Sequence, residues 1–340
     1  MNNQESEQPS QKINHASLIW NIAEVLRGNF RPHQYGSITL PFVVLRRLEC
    51  VLEPTRDTVL EAIKALPKDA DEAIRGKILN RAAGKDFRFH NTSKWTLAKI
   101  KDDQSHLLEN LNAYINAFSA NVRDVLIDKF KLPALLEELD KADLLYNITE
   151  KFSRVDLSPA NVPNHEMGNI FEELIRKFAE VSNETAGDHF TPRDVVTLLV
   201  DLLFIHDDDI LTQKGVVRSI YDPTAGTGGI LSQAQENLRE KNPDATLILF
   251  GQEFNPESYG ICKADILIKG QDPENIKFGN TLSQDGHEGK TFDYTPQGRE
   301  QLPRGDQAHQ GSVPSLLRRS VAPRLRDGTV SRQHSCHSPC

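Results

Sequence analysis

Long apolar segments are missing from this chain. No run approaches the roughly 18–20 apolar residues that a membrane-spanning helix requires. The opening segment MNNQESEQPSQK is polar and has no apolar core, which argues against a secretory signal. Cysteine is scarce, with four scattered residues, so a disulfide-stabilised secreted domain is excluded. These absences predict a soluble, cytoplasmic protein.

Metal-binding patterns are also sparse. Cys50 and Cys262 lie in apolar helical patterns, which is typical of small buried side chains. Two cysteines and two histidines cluster between 334 and 340, in a segment that looks unstructured. We therefore predict no metal site.

The charge balance is acidic. Lys and Arg total 40 against 48 Asp and Glu, a formal net charge of −8. Tight binding to duplex nucleic acid relies on neutralising phosphates with Lys and Arg. Unless its charges are strongly segregated, a chain of this kind binds duplexes poorly on its own.

The most informative segment is DPTAGTGG at residues 222–229. It follows an apolar run at 215–221 that predicts a buried strand, and it precedes a helical stretch from about Ile230. Its glycines let the backbone pass close to a ligand, and the following helix offers unpaired N–H groups. No Gly-Lys-Ser/Thr follows, which excludes a P-loop. The pattern predicts a nucleotide-like cofactor site of the doubly wound α/β type.

Three further segments lie in order around this turn. AGDHFTPRDVV at 186–196 precedes it, and GQEFNPES at 251–258 follows a predicted strand at 246–250. FGNTLSQD at 278–285 comes after a predicted helix over 256–269. Such a series on a βαβ frame is far more specific than a lone glycine turn.

Together the four segments resemble the amino-group DNA methyltransferases, and closely the methyltransferase (M) subunit of type I restriction–modification systems. The resemblance covers roughly residues 15–294. It implies an α/β fold, in which an N-terminal helical domain precedes a Rossmann-like domain that binds S-adenosylmethionine (SAM). It also implies methyl transfer from SAM to N6 of adenine in DNA.

The resemblance gives each segment a role in holding SAM. The glycine turn with Asp222, and the residues before Asp194, would contact the methionine end. Glu253 would accept hydrogen bonds from the ribose, and Phe254 with Asn280 would form the adenine slot. The predicted cofactor-binding residues are Asp188, His189, Phe190, Thr191, Pro192, Arg193, Asp222, Thr224, Gly226, Thr227, Gly228, Gly229, Glu253, Phe254 and Asn280.

Taken singly, these residues have ordinary structural alternatives. Asp222 could merely start a turn, Glu253 could be a solvated charge, Phe190 could be core and Asn280 could form a turn. Their joint order favours a binding site.

The half of the site that handles the acceptor base is not recognisable. The family uses an Asn-Pro-Pro-aromatic segment, whose Asn side chain and Pro carbonyl accept hydrogen bonds from N6. No Asn-Pro-Pro occurs in the sequence, and Asn242-Pro243 and Asn255-Pro256 lie elsewhere. We assign no catalytic residue and predict no methyl transfer by this chain alone.

The resemblance also implies partners. DNA would be reached through a specificity subunit, alongside a restriction subunit and a second methyltransferase subunit, with no membrane contact. The acidic charge agrees with this dependence. Two alternatives stay open: a non-catalytic truncated remnant that only binds SAM or partner subunits, and a SAM-dependent methyltransferase acting on protein or RNA. The long helical N-terminal region argues against the second.

Three regions follow from the chain pattern. Residues 1–155 predict a helical domain for partner and DNA contacts, with helices within 15–60, 105–130 and 133–152 and with Pro41 in a first turn. Residues 160–295 predict the partial SAM-binding domain, in which Thr191 caps a helix. A sheet of about three strands would leave apolar faces uncovered.

Residues 296–340 predict a basic, disordered tail. They contain seven Arg, no Lys, three acidic residues and five prolines, where a doubly wound sheet should continue. We interpret the tail as out-of-frame translation or a truncated gene product, and a genuine basic tail is the alternative.

Overall fold

The computed structural model describes residues 15–67, 71–84, 87–182, 191–205, 207 and 211–296. A helical region comes first, and a small parallel sheet with its helices follows, in agreement with the predicted α/β class. The tail predicted over 296–340 lies outside the described residues apart from Pro296.

Helices of very different lengths build the N-terminal region, and their apolar faces form one continuous core. They are α1 His15–Ala23, α2 Tyr35–Leu52, α3 Arg56–Ala65, α4 Glu72–Ala83, α5 Leu97–Lys101, α6 Leu107–Asn116, α7 Ala120–Arg123, α8 Leu132–Lys141 and α9 Leu145–Arg154. A longer helix, α10 Asn164–Ser182, then leads toward the sheet.

The helices predicted over 105–130 and 133–152 are each divided in the structure. A turn separates α6 from α7, and a π-helical segment Asp124–Lys129 follows α7. Lys131 and Asp143 adopt left-handed φ angles of 53° and 57°. Lys131 lies between the two predicted helices, where a break was expected, and Asp143 divides the second of them. No glycine or proline marks the breaks at 117–119 and at Asp143, although Asp adopts this conformation occasionally.

Pro41 lies inside α2, so its predicted place in a first turn is wrong. The helix begins earlier, at Tyr35, after a 3₁₀ turn at Pro32–Gln34. An interior proline removes one backbone donor from a helix. Burial along nearly the whole of α2 offsets that loss.

Two arginines of α2 hold the connection between α9 and α10. The Arg47 side chain is fully buried, and its guanidinium donates to the Val162 carbonyl at 2.8 Å, to Asn164 Oδ1 at 2.7 Å and to the Leu157 carbonyl. Arg46 Nε donates to the Val155 carbonyl at 2.7 Å. Burial lowers the pKa of Arg47 to about 10. The irregular segment is therefore fixed against α2.

The sheet has three parallel strands in the order β1-β2-β3 within the described residues. They are β1 Val217–Asp222, β2 Thr246–Glu253 and β3 Ile276–Phe278. Helix α11 Arg193–Phe204 precedes β1, α12 Gly229–Lys241 joins β1 to β2, and α13 Pro256–Ile268 joins β2 to β3. The predicted βαβ frame is confirmed, with Asp222 and Glu253 at the carboxyl ends of adjacent strands.

The chain returns to the sheet on the free side of β1. Tyr221 N donates to the Tyr294 carbonyl at 2.9 Å, and Tyr294 N donates to the Ser219 carbonyl at 3.0 Å. This makes a parallel bridge between Ile220 and Tyr294. At this position β1 therefore has hydrogen-bonding neighbours on both sides.

One expected exposed face of the sheet is partly covered. Tyr221 and Phe250, paired in register, pack against Phe292 and the buried His287, with ring centroids 4.7–5.5 Å apart across the strands and the loop. Exposed apolar side chains lie instead along α11 and at the residue after it, namely Val195, Leu198, Leu202 and Ile205.

Helix α13 belongs to both cores. Tyr259, Cys262 and Ile266 pack in the sheet core. Ile261, Ala264, Leu267 and Ile268 pack in the helical core. A helix that is apolar all round is a buried helix. At Gly260 the ring of Phe130 approaches so closely that an added Cβ would lie 2.7 Å from it.

We expect Gly260→Ala to lower the free energy of unfolding by about 1–3 kcal/mol, because the added methyl group overpacks the contact with Phe130. Since α13 serves both cores, the whole chain should melt at a lower temperature in one transition. Differential scanning calorimetry measures both quantities.

Gly76→Ala is the matched control, because a Cβ at that helical position meets nothing within 4 Å. It should leave stability unchanged or raise it by up to about 1 kcal/mol. Equal melting temperatures for the two variants would contradict the role given to Gly260.

Candidate cofactor site

The segment 222–229 forms a tight turn between β1 and α12. Gly226 and Gly228 have φ angles of +54° and +89°, which side chains other than glycine rarely adopt. A Cβ on Gly228 would also lie 3.0 Å from Cys262 Sγ. The glycines are therefore required by the backbone path, and α13 packs directly behind the turn.

Asp222 is the buried anion of the turn. Its side chain is 1% exposed, and Oδ1 accepts a hydrogen bond from Thr224 N at 3.0 Å. Burial raises its pKa to about 6; the Thr224 bond works against that rise, and the charge of Glu253 adds to it. A cation beside Asp222 would favour its ionised form.

Glu253 joins the end of β2 to the glycine turn. Oε2 accepts from Gly226 N at 2.8 Å, and Oε1 accepts from Asn255 N at 2.6 Å. Each oxygen keeps a second lone pair for a ligand hydroxyl. The carboxylate is thereby held in one orientation before any ligand arrives.

The segment after β3 lies beside the glycine turn. Thr281 Oγ1 donates to the Pro223 carbonyl. Asn280 Oδ1 accepts from Leu282 N at 2.9 Å, so this side chain also shapes its own turn. Phe254 is 68% exposed and Phe278 is 44% exposed, although aromatic side chains of this size are usually covered.

The predicted residues upstream are described only in part. Asp188, His189 and Phe190 lie outside the described residues. The prediction that Thr191 caps α11 is wrong, because the helix begins at Arg193 and Pro192 occupies the capping position without a side-chain bond. Arg193 Nε instead pairs with Glu172 Oε2 of α10 at 3.0 Å.

These elements enclose a cavity of about 260 Å³ at the carboxyl edge of β1 and β2. Seven predicted residues line it, namely Thr191, Asp222, Thr224, Gly226, Thr227, Gly229 and Glu253. The other lining residues are Glu172, Val196, Ala225, Ile230, Asn255 and Ser258. Pro192, Arg193, Gly228, Phe254 and Asn280 do not line it.

The cavity has one sign of charge. Three carboxylates line it, from Glu172, Asp222 and Glu253, and no Lys, Arg or His is among its described lining residues. Such a cavity suits a ligand that carries positive charge. Glu172 is not distinguished in the sequence, because the polar face of α10 also presents Glu166, Glu173 and Glu180.

A larger cleft of about 980 Å³ lies elsewhere, between α4, α7 and β3. Its walls carry charges of both signs, including Arg75, Arg123, Asp124 and Glu274. None of its lining residues belongs to the glycine turn. Size alone therefore does not select the site, and the smaller cavity lies where a strand end, a glycine turn and a helix N-terminus meet.

Other expectations concern metals and membranes. Cys50 and Cys262 are free and buried, as predicted. The described residues contain no group of three or more His, Cys, Asp or Glu placed to hold a metal ion. Every helix in the described ranges is too short or too polar to span a bilayer.

Two family descriptions match consecutive parts of the chain. Residues 15–152 match the HsdM N-terminal domain, and residues 163–296 match the N-6 DNA methylase family. The boundary between them falls in the segment that Arg46 and Arg47 hold.

The curated relatives that resemble this chain are methylase subunits of type I restriction enzymes. The chain is 26% identical over 296 residues to the type I restriction enzyme MjaIX methylase subunit of Methanocaldococcus jannaschii, covering 81% of this chain and 49% of that protein. It is 26% identical over 193 residues to the EcoEI methylase subunit of Escherichia coli, covering 54% and 36%. The chain thus spans half or less of the length of these relatives.

The fold is similar to the crystal structure of a type I restriction–modification methyltransferase subunit from Streptococcus thermophilus. The TM-score is 0.57 at 20% identity, over 80% of this chain and 59% of that one.

Asp222→Asn should raise the free energy of unfolding above pH 7. The pKa of Asp222 is about 6 in the folded chain, against an ordinary value of 3.8. The folded state therefore loses stability as pH rises from about 3.8 to about 6, because the carboxyl group must ionise while buried. Removing the buried charge should increase the free energy of unfolding by about 1–3 kcal/mol at pH 7.5 and change it little near pH 4. Urea unfolding at the two pH values measures the difference.

The exposed Asp244 provides the control, because Asp244→Asn should change stability equally little at both pH values. A stability of Asp222→Asn equal to that of the wild type at pH 7.5 would contradict the cost assigned to the charge.

Proposed function

The chain belongs to the methyltransferase (M) subunit family of type I restriction–modification systems, and we propose that its acidic cavity binds SAM. The supporting observation is the set of three carboxylates around a glycine turn, with no basic residue among the described lining. SAM carries a sulfonium and an ammonium against one carboxylate, so its net charge is positive. Charge and backbone geometry both favour this cofactor.

Each part of the cofactor has a proposed contact. The Glu253 carboxylate, already oriented by Gly226 N and Asn255 N, accepts the ribose hydroxyls. Asp222 and the turn face the methionine end, together with Thr191. The exposed ring of Phe254 stacks on adenine, with Asn280 at the edge of the base.

The proposed reaction is methyl transfer to N6 of adenine in DNA, with the base flipped out of the duplex. The 340 residues contain no Asn-Pro-Pro-aromatic segment. Both Asn-Pro pairs have structural roles. Asn242 Nδ2 donates to the Leu211 carbonyl at 2.7 Å, and Asn255 Oδ1 caps α13 by accepting from Glu257 N at 2.9 Å. We assign this chain the cofactor half of the reaction and no catalytic residue.

The acceptor half then depends on other polypeptides. Target DNA is reached through a specificity subunit, in a complex with a restriction subunit and a second methyltransferase subunit. A net charge of −8 supports this dependence, since duplex binding needs basic residues. We propose residues 1–155 as the partner-binding domain and 160–295 as the SAM-binding domain.

A second candidate is a non-catalytic chain that only binds SAM or partner subunits. The missing Asn-Pro-Pro segment supports this binding-only role and a catalytic role that depends on a second chain equally well. Methylation by the reconstituted complex distinguishes the binding-only role from the catalytic role.

Isothermal titration calorimetry should detect SAM binding to the purified chain. Glu253→Gln should weaken it about tenfold or more, because a charge-assisted hydrogen bond to the ribose is lost. Asp222→Ala should weaken it as well.

Glu240→Gln, at an exposed position near the far end of α12, is the matched charge control and should bind like the wild type. A folded wild-type chain without affinity for SAM or S-adenosylhomocysteine would overturn the proposed function.

Tritiated methyl groups should not pass from SAM to DNA with this chain alone. Addition of the specificity subunit and an intact methyltransferase subunit should restore incorporation. Incorporation of tritiated methyl groups by the isolated chain above a no-enzyme control would contradict the proposal that this chain supplies only the cofactor half. If the complete mixture incorporates the same amount of tritium with and without this chain, only the binding role remains.

A further inference from the structure

We propose that Glu172 of α10 receives the α-ammonium group of the cofactor's methionine end, with Arg193 positioning its carboxylate. The proposal rests on SAM as the ligand of the cavity. It adds to that site a residue from outside the four sequence segments.

Glu172 is placed where α10 meets the first turn of α12. Its Oε1 would lie 3.5 Å from a Cβ on Gly229, so it sits in ordinary contact with the glycine turn. Its Oε2 pairs with Arg193 Nε at 3.0 Å. The side chain is 17% exposed and lines the cavity. A carboxylate in this position borders the space around the methionine end.

The three carboxylates of the cavity differ in the hydrogen bonds that they already accept. Both oxygens of Glu253 accept backbone hydrogen bonds, and Asp222 accepts one from Thr224 while 1% exposed. Glu172 Oε1 accepts no hydrogen bond from the described residues, and Oε2 has its only described bond with Arg193. Glu172 is therefore the carboxylate best able to accept from an ammonium group.

The pair with Arg193 serves two purposes in this arrangement. A guanidinium at 3.0 Å fixes the Glu172 side chain and leaves Oε1 toward the cavity. Arg193 itself is 52% exposed and lines a neighbouring pocket rather than the cavity. We therefore treat Arg193 as a positioning residue.

A purely structural role is the competing explanation. A carboxylate near the N-terminus of α12 would also offset the positive end of the helix dipole. That role affects the glycine turn as a whole, and so it would alter the affinity of every ligand of the site. The ammonium role affects only ligands that carry the amino acid.

Three probes separate these roles by calorimetry. SAM carries the sulfonium and the amino acid, S-adenosylhomocysteine carries the amino acid without the sulfonium, and 5′-methylthioadenosine lacks both. Glu172→Gln should weaken SAM and S-adenosylhomocysteine by about tenfold or more, with no change for 5′-methylthioadenosine. Glu172→Asp, which keeps the charge, should recover part of the loss.

Glu173→Gln is the matched control on the same helix, because Glu173 pairs with Arg176 and does not line the cavity. It should bind all three probes like the wild type. Melting temperatures show that each variant is folded.

Equal loss for all three probes, or unchanged binding of SAM by Glu172→Gln, would overturn the assignment. Loss for SAM alone would place Glu172 at the sulfonium and would also overturn it. Absence of SAM binding in the wild-type chain is a different result, because it removes the proposed function itself.

Discussion

Burial of α13 on both sides is the constraint on which the architecture depends. One face of this helix completes the sheet core and the other completes the helical core. Cys262 supports the back of Gly228, while Gly260 admits the ring of Phe130 from the N-terminal region. The buried Lys263 adds a bond to Asp124 at 2.7 Å across the same contact. The shape of the glycine turn therefore depends on side chains about 100 positions earlier in the chain.

Electrostatics give the site a different character from the core. Asp222 is buried with a raised pKa, and two further carboxylates line the cavity. Glu172 pairs with Arg193, which lies outside the described lining, and no basic residue is part of that lining. Like charges at close range destabilise the empty fold, and a cationic ligand offsets that repulsion. Local destabilisation of this kind is common at functional sites, where stability and binding compete.

The βαβ frame was predictable because its signals are local. Apolar runs, a glycine turn and a proline after Asn255 mark the ends of strands and helices directly. Parallel strands bring their carboxyl ends together, which places Asp222 and Glu253 at the same edge of the sheet. The breaks inside the predicted helices had no strong local signal, because no glycine or proline marks 117–119 or Asp143, and Asp takes a left-handed conformation only occasionally.

Glu172 shows the limit of sequence patterns for the site itself. Helical periodicity assigns it to a polar face, but only tertiary packing decides which of several glutamates faces the cavity. The double burial of α13 had a partial signal, since its sequence is apolar on all sides. The covering of Tyr221 by His287 and Phe292 had none, because it depends on a loop without periodicity.

The bridge between Ile220 and Tyr294 has a geometric consequence for the position of the site. Strand order reverses at β1, since β2 lies on one side of it and Tyr294 on the other. In doubly wound sheets, ligands bind in the crevice that opens at such a reversal. The carboxyl end of β1 therefore lies between two neighbouring segments, each one strand spacing of about 4.8 Å away, and the crevice opens between them.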